Sequence, residues 1–204
     1  HLLRRQRQMC IRDRSKMDDS IYKIFEKRVY DANICTSQNC KVKFQGDALP
    51  KATFNTYAKM YTKSDEICTF TSDRWSVCIA PSDDGFEHVS FVNGICTTKG
   101  GSHVDHVSGI LANGVIEDMA KKIKLRPQQV KNAFFVFVKA TLVNPSFSSQ
   151  VKSECTLKPQ DFGSKFEPPK TFIKTILKTS VQSELMALSK FREMKELKKT
   201  DGSR

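Results

Sequence analysis

The sequence has little of what marks a fibrous, disordered or membrane protein. Only 9 glycines and 7 prolines occur among its 204 residues, which excludes a collagen-like or low-complexity chain. Hydrophobic residues make up 39% and include 14 phenylalanines, enough for a packed core. No apolar run in the sequence approaches the ~20 residues that a membrane-spanning helix needs. We therefore expect one or two globular domains and no membrane partner.

Cysteines are present, but their pattern predicts neither a disulfide framework nor a metal site. Their number, seven, is odd, and the first residues contain no apolar segment typical of a secretory signal. Cys35 and Cys40 lie close together but lack a second Cys or His pair at the spacing of a zinc site. We expect reduced, structural cysteines in an intracellular protein.

Positive charge is concentrated at the start of the chain. The formal net charge is +12, and residues 1–16 hold six basic residues against one acidic residue. Taken as native sequence, this segment indicates a nucleic-acid-binding arm or a transit peptide. It also resembles translated sequencing-adapter sequence, and the chain does not begin with methionine. We expect residues 1–15 to be an assembly artefact and the natural sequence to start near Lys16, inside a longer gene.

Before residue 71 the pattern predicts a capped helix and a short strand. Asp18 and Asp19 precede apolar residues at helical spacing through Val29. Residues 41–44 alternate like a strand and run into the turn residues 45–47. The aromatic residues that follow are typical of one or two turns of helix, or of a loop.

Beyond residue 74 the pattern predicts a sheet with helices. The alternating stretches 75–79 and 89–93 flank turn residues, which predicts an antiparallel hairpin. A long helix is expected to begin at Ser102. The stretch 134–142 is apolar at both parities in its first half, so we expect it at the centre of the sheet. Two helices are predicted after residue 169, and the element order indicates an α+β fold with the helices packed on one sheet.

Residue chemistry alone yields no complete catalytic set. His103 and His106 lie near the start of the long helix without a convincing third metal ligand, which favours packing at the helix terminus. The backbone N–H groups of 97–102 could cradle an anion before that helix. A glycine pair that only turns the chain is the favoured alternative, because the GxxxxGK[ST] spacing of a phosphate-binding loop is absent.

Several blocks of sequence, taken in order, are more specific than any single residue. The central ones are SFVNGI at 90–95 and TKGGSHVD at 98–105. The others are RVYD at 28–31, VKF at 42–44, QVKN at 129–132, NPSFSSQ at 144–150, TLKP at 156–159 and FGS at 162–164. This ordered set resembles eukaryotic-type DNA topoisomerase II, an ATP-hydrolysing type II topoisomerase family, over residues 17–199.

The resemblance implies a fold and a domain organisation. In that family a ribosomal-protein-like βαβ transducer domain, a sheet with helices on one face, follows the terminal helix and strands of a GHKL-type ATPase domain. On this basis we expect 16–70 to end the ATPase domain and 71–167 to form the transducer with its phosphate-sensing loop. Residues 168–204 are then a helical tail leading toward a Toprim and cleavage core.

The resemblance also implies two sites. The family's Gln-Thr-Lys motif reaches back into the ATP site, and here it reads Gln150, Val151 and Lys152, with Lys152 as the catalytic residue at the γ-phosphate. Val151 keeps the branched shape of threonine and loses its hydroxyl. Lys121 and Lys122 match two lysines that face DNA in the family's central cavity, and Lys124 lies close to them. No metal ligand is expected in this chain.

The function implied is that of a transducer in a topoisomerase. It couples ATP binding and hydrolysis to DNA gate closure and double-strand passage, in a nuclear homodimer that uses ATP and Mg²⁺ on double-stranded DNA. The Mg²⁺ site and the cleaving tyrosine are expected outside this chain, which is therefore inactive alone, and a viral or organellar source stays open. The alternative is a stand-alone nucleic-acid-binding module with a ribosomal-protein-like fold, which has no use for a phosphate-sensing loop.

Overall fold

The computed structural model describes residues 18–37 and 39–201, so the prediction for residues 1–15 lies outside the described part of the chain. The chain divides between Lys51 and Ala52 into two compact units. In the first unit, helix α1 (Asp19–Cys35) precedes strands β1 (Lys43–Phe44) and β2 (Asp47–Ala48), which pair as an antiparallel hairpin. The predicted helix, strand and turn are therefore confirmed. Asp18 lies at the N-cap, but its side chain makes no capping hydrogen bond to the helix backbone and accepts from the Ser20 hydroxyl instead.

The second unit is built on a five-stranded sheet. Its strands are β3 (Cys68–Thr71), β4 (Trp75–Pro81), β5 (Glu87–Val92), β6 (Ile95–Cys96) and β8 (Phe134–Ala140), in the spatial order β3-β4-β8-β5-β6. A separate pair joins β7 (Gly100–Gly101) to β9 (Glu154–Cys155). The helices are α2 (Phe54–Ala58), α3 (Ser102–Met119), α4 (Pro127–Asn132), α5 (Lys170–Ile176) and α6 (Ser180–Asp201). The α+β fold class predicted from the sequence is confirmed.

The predicted hairpin between β4 and β5 is wrong, because β8 lies between the two strands. β8 pairs antiparallel with β4 and parallel with β5, which makes β5, α3, α4 and β8 a βαβ unit. Six of the seven residues of β8 are buried, and a strand that is apolar on both faces gains most at the centre of a sheet. β5 instead turns back at Asn93-Gly94, both at positive φ, and pairs with β6.

The two faces of the sheet are covered by different helices. On one face, Val136 and Val138 of β8 belong to a core that includes Leu111 of α3. That core also takes in buried residues of α5 and α6, such as Ile176 and Leu185. On the other face, the aromatic rings of α2 and the turn after it contact the sheet: Tyr57 against Phe91, and Tyr61 against Phe135 and Phe137. The large helices share one face as predicted, and α2 is an addition on the opposite face.

The expected boundary at residues 70 and 71 falls at the end of strand β3. β3 pairs with β4 over four residues, from Cys68 opposite Ile79 to Thr71 opposite Ser76. Because those backbone hydrogen bonds join β3 to the sheet, the boundary between the two compact units lies earlier in the sequence, between Lys51 and Ala52.

The last helix, α6, leaves much of its apolar surface open. Leu185 is fully buried, whereas Phe191 and Met194 are 66% and 58% exposed. Among the described residues, no helix combines the length and the apolar character that crossing a membrane requires.

Candidate phosphate-sensing tip and basic cluster

The Gln-Val-Lys motif lies at the tip of a short hairpin formed by residues 146–156, here called the tip hairpin. Phe147 and Cys155 face each other in an antiparallel bridge. The Ser148 N–H donates to the carbonyl of Glu154 at 3.1 Å, and the Thr156 N–H donates to that of Ser146 at 2.9 Å. The tip hairpin is therefore an ordered element and not an irregular loop.

The three motif residues all project from the end of the tip hairpin. Gln150 and Lys152 are exposed, and Val151 is 82% exposed. Lys152 adopts a positive φ of 58°, and its N–H donates to the carbonyl of Ser149 at 3.0 Å, which closes the turn. Its Nζ lies 5.7 Å from the centre of the Phe147 ring and has no hydrogen bond or ion pair with another described residue. The ammonium is thus held near one aromatic ring and is open to an anion.

The base of the tip hairpin is anchored on the glycine pair. β9 pairs parallel with β7, with Gly100 opposite Glu154 and Gly101 opposite Cys155. The Lys99 N–H donates to the carbonyl of Ser153 at 2.9 Å, immediately beside Lys152. In addition, the Ser102 hydroxyl at the start of α3 donates to the carbonyl of Leu157 at 2.5 Å. The block TKGGSHVD therefore meets the second strand of the tip hairpin and the start of the block TLKP in space.

Glycine is required at both positions because other atoms come very close. A Cβ on Gly101, whose φ is 122°, would overlap the carbonyl oxygen of Cys155. A Cβ on Gly100 would lie 2.9 Å from Nε2 of His88. The chain turns at residues 97–100, as the favoured alternative had it, and the glycine pair also allows the close approach of a strand. The positions of both blocks in the family pattern were the available signal, and spacing along the chain could not show that they touch.

The two histidines considered as a metal pair have separate surroundings. His103 is buried, and its Nε2 lies 3.2 Å from the Thr97 hydroxyl. His106 packs against the rings of Trp75 and Phe162, with centroids 6.4 Å and 5.6 Å away. The described residues contain no group of three or more His, Cys, Asp or Glu that could hold a metal. Packing, the favoured interpretation, agrees with these contacts.

The three predicted DNA-facing lysines lie just beyond the end of α3. Lys121, Lys122 and Lys124 are exposed in the segment that leads to α4. These three lysines, here called the basic cluster, line an open depression of about 500 Å³ together with Arg192 and Ser189 of α6. Arg192 was not predicted from the sequence, because it comes from a helix that is distant in the chain. Its guanidinium donates to the side-chain oxygen of Gln129 at 2.9 Å, which fixes it beside the lysines.

Helix α3 separates the tip hairpin from the basic cluster. Ser102 at its first turn contacts the base of the tip hairpin, and the lysines follow its last residue, Met119. An 18-residue helix is about 27 Å long. The buried face of α3, which includes Val107, Leu111 and Val115, fixes it on the sheet between the two places.

Comparison with known proteins settles the family. The family described as DNA gyrase B matches residues 42–196. The chain belongs to the DNA gyrase B family. DNA topoisomerase 2 of Arabidopsis thaliana is 36% identical and covers 93% of this chain, and that of Acanthamoeba polyphaga mimivirus is 39% identical and covers 91%. The chain spans only 14% and 15% of the length of these two relatives.

Solved structures of topoisomerase II support the same assignment. The ATPase region of Saccharomyces cerevisiae topoisomerase II matches 87% of this chain and 47% of that one, with 32% identity and a TM-score of 0.81. The ATPase and transducer domains of topoisomerase II from Balamuthia mandrillaris match 85% of this chain and 45% of that one, with 29% identity and a TM-score of 0.76. The resemblance to eukaryotic-type DNA topoisomerase II is confirmed, and a stand-alone nucleic-acid-binding module is not favoured.

Proposed function

We propose that this chain is the transducer part of an ATP-dependent type II DNA topoisomerase, in which it couples ATP binding and hydrolysis to DNA gate closure and double-strand passage. Relatives named DNA topoisomerase 2 and a similar structure of ATPase and transducer domains support the proposal. In this proposal residues up to Lys51 belong to the end of the ATPase domain, and the transducer begins with the second compact unit. Residues 168–204 lead toward a Toprim and cleavage core, so the chain alone is inactive.

The observation that carries the proposal is the free ammonium of Lys152 at the tip of an anchored hairpin. Its Nζ lies 5.7 Å from the centre of the Phe147 ring and makes no hydrogen bond or ion pair with a described residue, so a phosphate oxygen would not have to displace a partner. Gln150, exposed beside it, offers an amide N–H to the same anion. A charge-assisted bond of this kind contributes ~1.5–3 kcal/mol. A bond to the γ-phosphate exists with ATP and not with ADP, which gives the two nucleotides the different affinities that a switch requires.

The remaining parts of the proposal concern the partners. Lys121, Lys122 and Lys124 contact double-stranded DNA through its phosphates, a contact that needs charge but no strict geometry. Mg²⁺ accompanies ATP and is held by parts of the protein outside this chain. The intact enzyme works as a homodimer and is located in the nucleus.

Replacing Lys152 tests the ATP contact. In the intact protein, recovered by extending the gene at both ends, we expect Lys152→Ala to lower the rate of ATP hydrolysis by about 10- to 150-fold, the loss that corresponds to one charge-assisted bond. Supercoiled plasmid relaxation should fall with it, while DNA binding persists. ATPase and relaxation are measured on the same preparation.

A matched control removes a lysine elsewhere on the surface. Lys158→Ala removes one exposed ammonium outside the tip hairpin and should leave both activities unchanged. Normal ATPase and relaxation in Lys152→Ala would mean that the tip is only structural and that the proposed ATP contact is absent.

A further inference from the structure

Three polar side chains are buried next to residues 99–101, the backbone segment on which the tip hairpin is anchored. Ser90 of β5, Thr97 in the segment between β6 and β7, and His103 in the first turn of α3 are 1%, 0% and 0% exposed. None of them reaches the surface where ATP or DNA would bind. Burying a polar group is unfavourable unless it is hydrogen-bonded, so three such groups at one place need a structural reason.

The three side chains form one hydrogen-bonded network. The Thr97 Oγ1 lies 2.6 Å from the Ser90 Oγ and 3.1 Å from the Ser90 carbonyl. The Ser90 hydroxyl also lies 3.0 Å from the Thr97 carbonyl, and the Thr97 N–H donates to the Ser90 carbonyl at 2.8 Å. His103 Nε2 completes the set at 3.2 Å from Thr97 Oγ1.

The surroundings of the two ring nitrogens indicate the tautomer of His103. Each hydroxyl has one proton, and both have carbonyl acceptors in reach. Because the two hydroxyl oxygens lie only 2.6 Å apart, one of these protons lies between them. His103 Nδ1 is buried without a partner, and an unpaired lone pair there is less unfavourable than an unpaired N–H, so the ring proton is placed on Nε2, which donates to Thr97 Oγ1. A neutral imidazole in this tautomer holds the Thr97 hydroxyl from the side of α3.

Thr97 in turn fixes the backbone of residues 97–100, which hydrogen-bonds to the tip hairpin. Its carbonyl accepts the N–H of Gly100 at 2.9 Å, which folds residues 97–100 into a tight turn. Within that turn the Lys99 N–H points to the carbonyl of Ser153 at 2.9 Å, and Ser153 is the neighbour of Lys152. The backbone of this turn, with one hydrogen bond at each side, therefore connects the buried network to the residue next to Lys152.

We propose that Thr97, held by Ser90 and His103, is a positioning residue that sets the place of Lys152 by fixing the turn on which the tip hairpin is seated. The inference rests on the proposed contact between Lys152 and the ATP phosphate. Thr97 acts through the backbone of Lys99 and Ser153, and has no contact of its own with the nucleotide.

The first test needs no enzyme activity and uses the 204-residue chain. Thr97→Val removes the hydroxyl with little change of shape, and Thr97→Ser keeps it. We expect the Lys99 and Ser148 amides to exchange hydrogen at least ~10-fold faster in Thr97→Val than in the wild type, with protection restored in Thr97→Ser. Amides of the β4–β8 pair serve as the internal reference and should change less.

Uniform loss of protection across both regions would overturn the proposal, because it would make Thr97 a general stability residue. Unchanged protection at Lys99 and Ser148 would overturn it as well. If Thr97→Val does not fold, Ser90→Ala removes one hydroxyl of the same network and is expected to give the same local change.

The second test measures coupling to Lys152 in the intact protein. We expect Thr97→Val to lower the rate of ATP hydrolysis and Thr97→Ser to restore it. Lys152→Ala should add little further loss in the Thr97→Val background, because the ammonium is already misplaced. Equal, independent losses in the double variant would overturn the positioning role.

The outcomes separate this inference from the proposed function. If Lys152→Ala leaves ATPase unchanged, the ATP contact itself fails, whatever the exchange data show. If Lys152→Ala is defective and Thr97→Val is normal in both tests, the ATP contact stands and the positioning role fails.

Discussion

At the scale of single residues, the side chains proposed to contact ATP are exposed at the end of the tip hairpin. Val151 lies at the position where the resemblance places a threonine. Because this position is 82% exposed, packing favours neither valine nor threonine there. Lys152 is different, because its positive φ and its contact with Phe147 limit where the ammonium can lie. An orientation fixed before binding reduces the entropy lost when an anion is bound.

His103 gives a prediction about pH at the same scale. Burial, and to a smaller extent His88, lowers the pKa of His103 from 6.5 to about 4. Between pH 6.5 and 4 the unfolded chain therefore binds a proton at this residue that the folded chain does not. The free energy of unfolding should fall as the pH drops through this window, by up to ~1.4 kcal/mol per pH unit from His103 alone. Urea unfolding of the chain at pH 7, 6 and 5 measures it.

Removing the titrating group supplies the control for this pH effect. In His103→Gln the decline between pH 7 and 5 should be shallower. Burial also lowers the pKa values of His88 and His106, so part of the decline should persist. An identical pH slope in the wild type and His103→Gln would contradict the assignment of a neutral, buried His103.

At the scale of elements, the contact between β7 and β9 holds the tip hairpin to the sheet domain. We expect Gly101→Ala to lower the free energy of unfolding by about 2–4 kcal/mol, because the new methyl overlaps the Cys155 carbonyl and the φ of 122° is strained for any residue with a Cβ. Chemical denaturation of the chain measures the change.

Gly109 is a matched control for that substitution. It lies inside α3, and a Cβ there meets nothing within 4 Å. Gly109→Ala should therefore stabilise the chain by roughly 0.5–1 kcal/mol, the difference in helix propensity. Similar destabilisation by both substitutions would show that the close approach of β9 is not what requires glycine at position 101.

The elements also show what the sequence could predict. Local patterns were sufficient for α1, for α3 and for the central place of β8, since each depends on periodicity within one segment. Pairing between segments was not accessible in this way: β4 and β5 look like a hairpin, although β8 lies between them. The pairing that anchors the tip hairpin was not predicted for the same reason, because Gly101 and Cys155 are distant in the sequence and neighbours only in the fold. The family resemblance identified the motif residues, and their anchoring required the structure.

At the scale of the whole second unit, the buried helix α3 links the tip hairpin at its start to the basic cluster after its end. Because α3 is one packed helix of about 27 Å, a displacement of its first turn would also displace its last turn and the core residues packed against it. The proposed ATP contact and the proposed DNA contact would then lie at the two ends of one body.

At this scale we predict how the basic cluster affects the salt dependence of DNA binding. Each lysine that neutralises a DNA phosphate adds about 0.9 to the slope of log K against log salt concentration. Replacing Lys121, Lys122 and Lys124 with alanine should therefore reduce that slope by up to ~3 and weaken binding to all duplex sequences alike. Fluorescence anisotropy with residues 16–204 measures it, because that chain omits the five arginines of residues 1–15.

The comparison needs a second variant with the same net charge. Lys158, Lys165 and Lys170 are exposed elsewhere on the second unit, and their replacement with alanine removes the same three charges. Equal slopes in the two triple variants would show that only net charge matters, and would remove the basic cluster from the proposed DNA contact. A larger loss for 121, 122 and 124 would show that the arrangement of charge beside Arg192 matters, because DNA phosphates would then occupy the depression that these residues line.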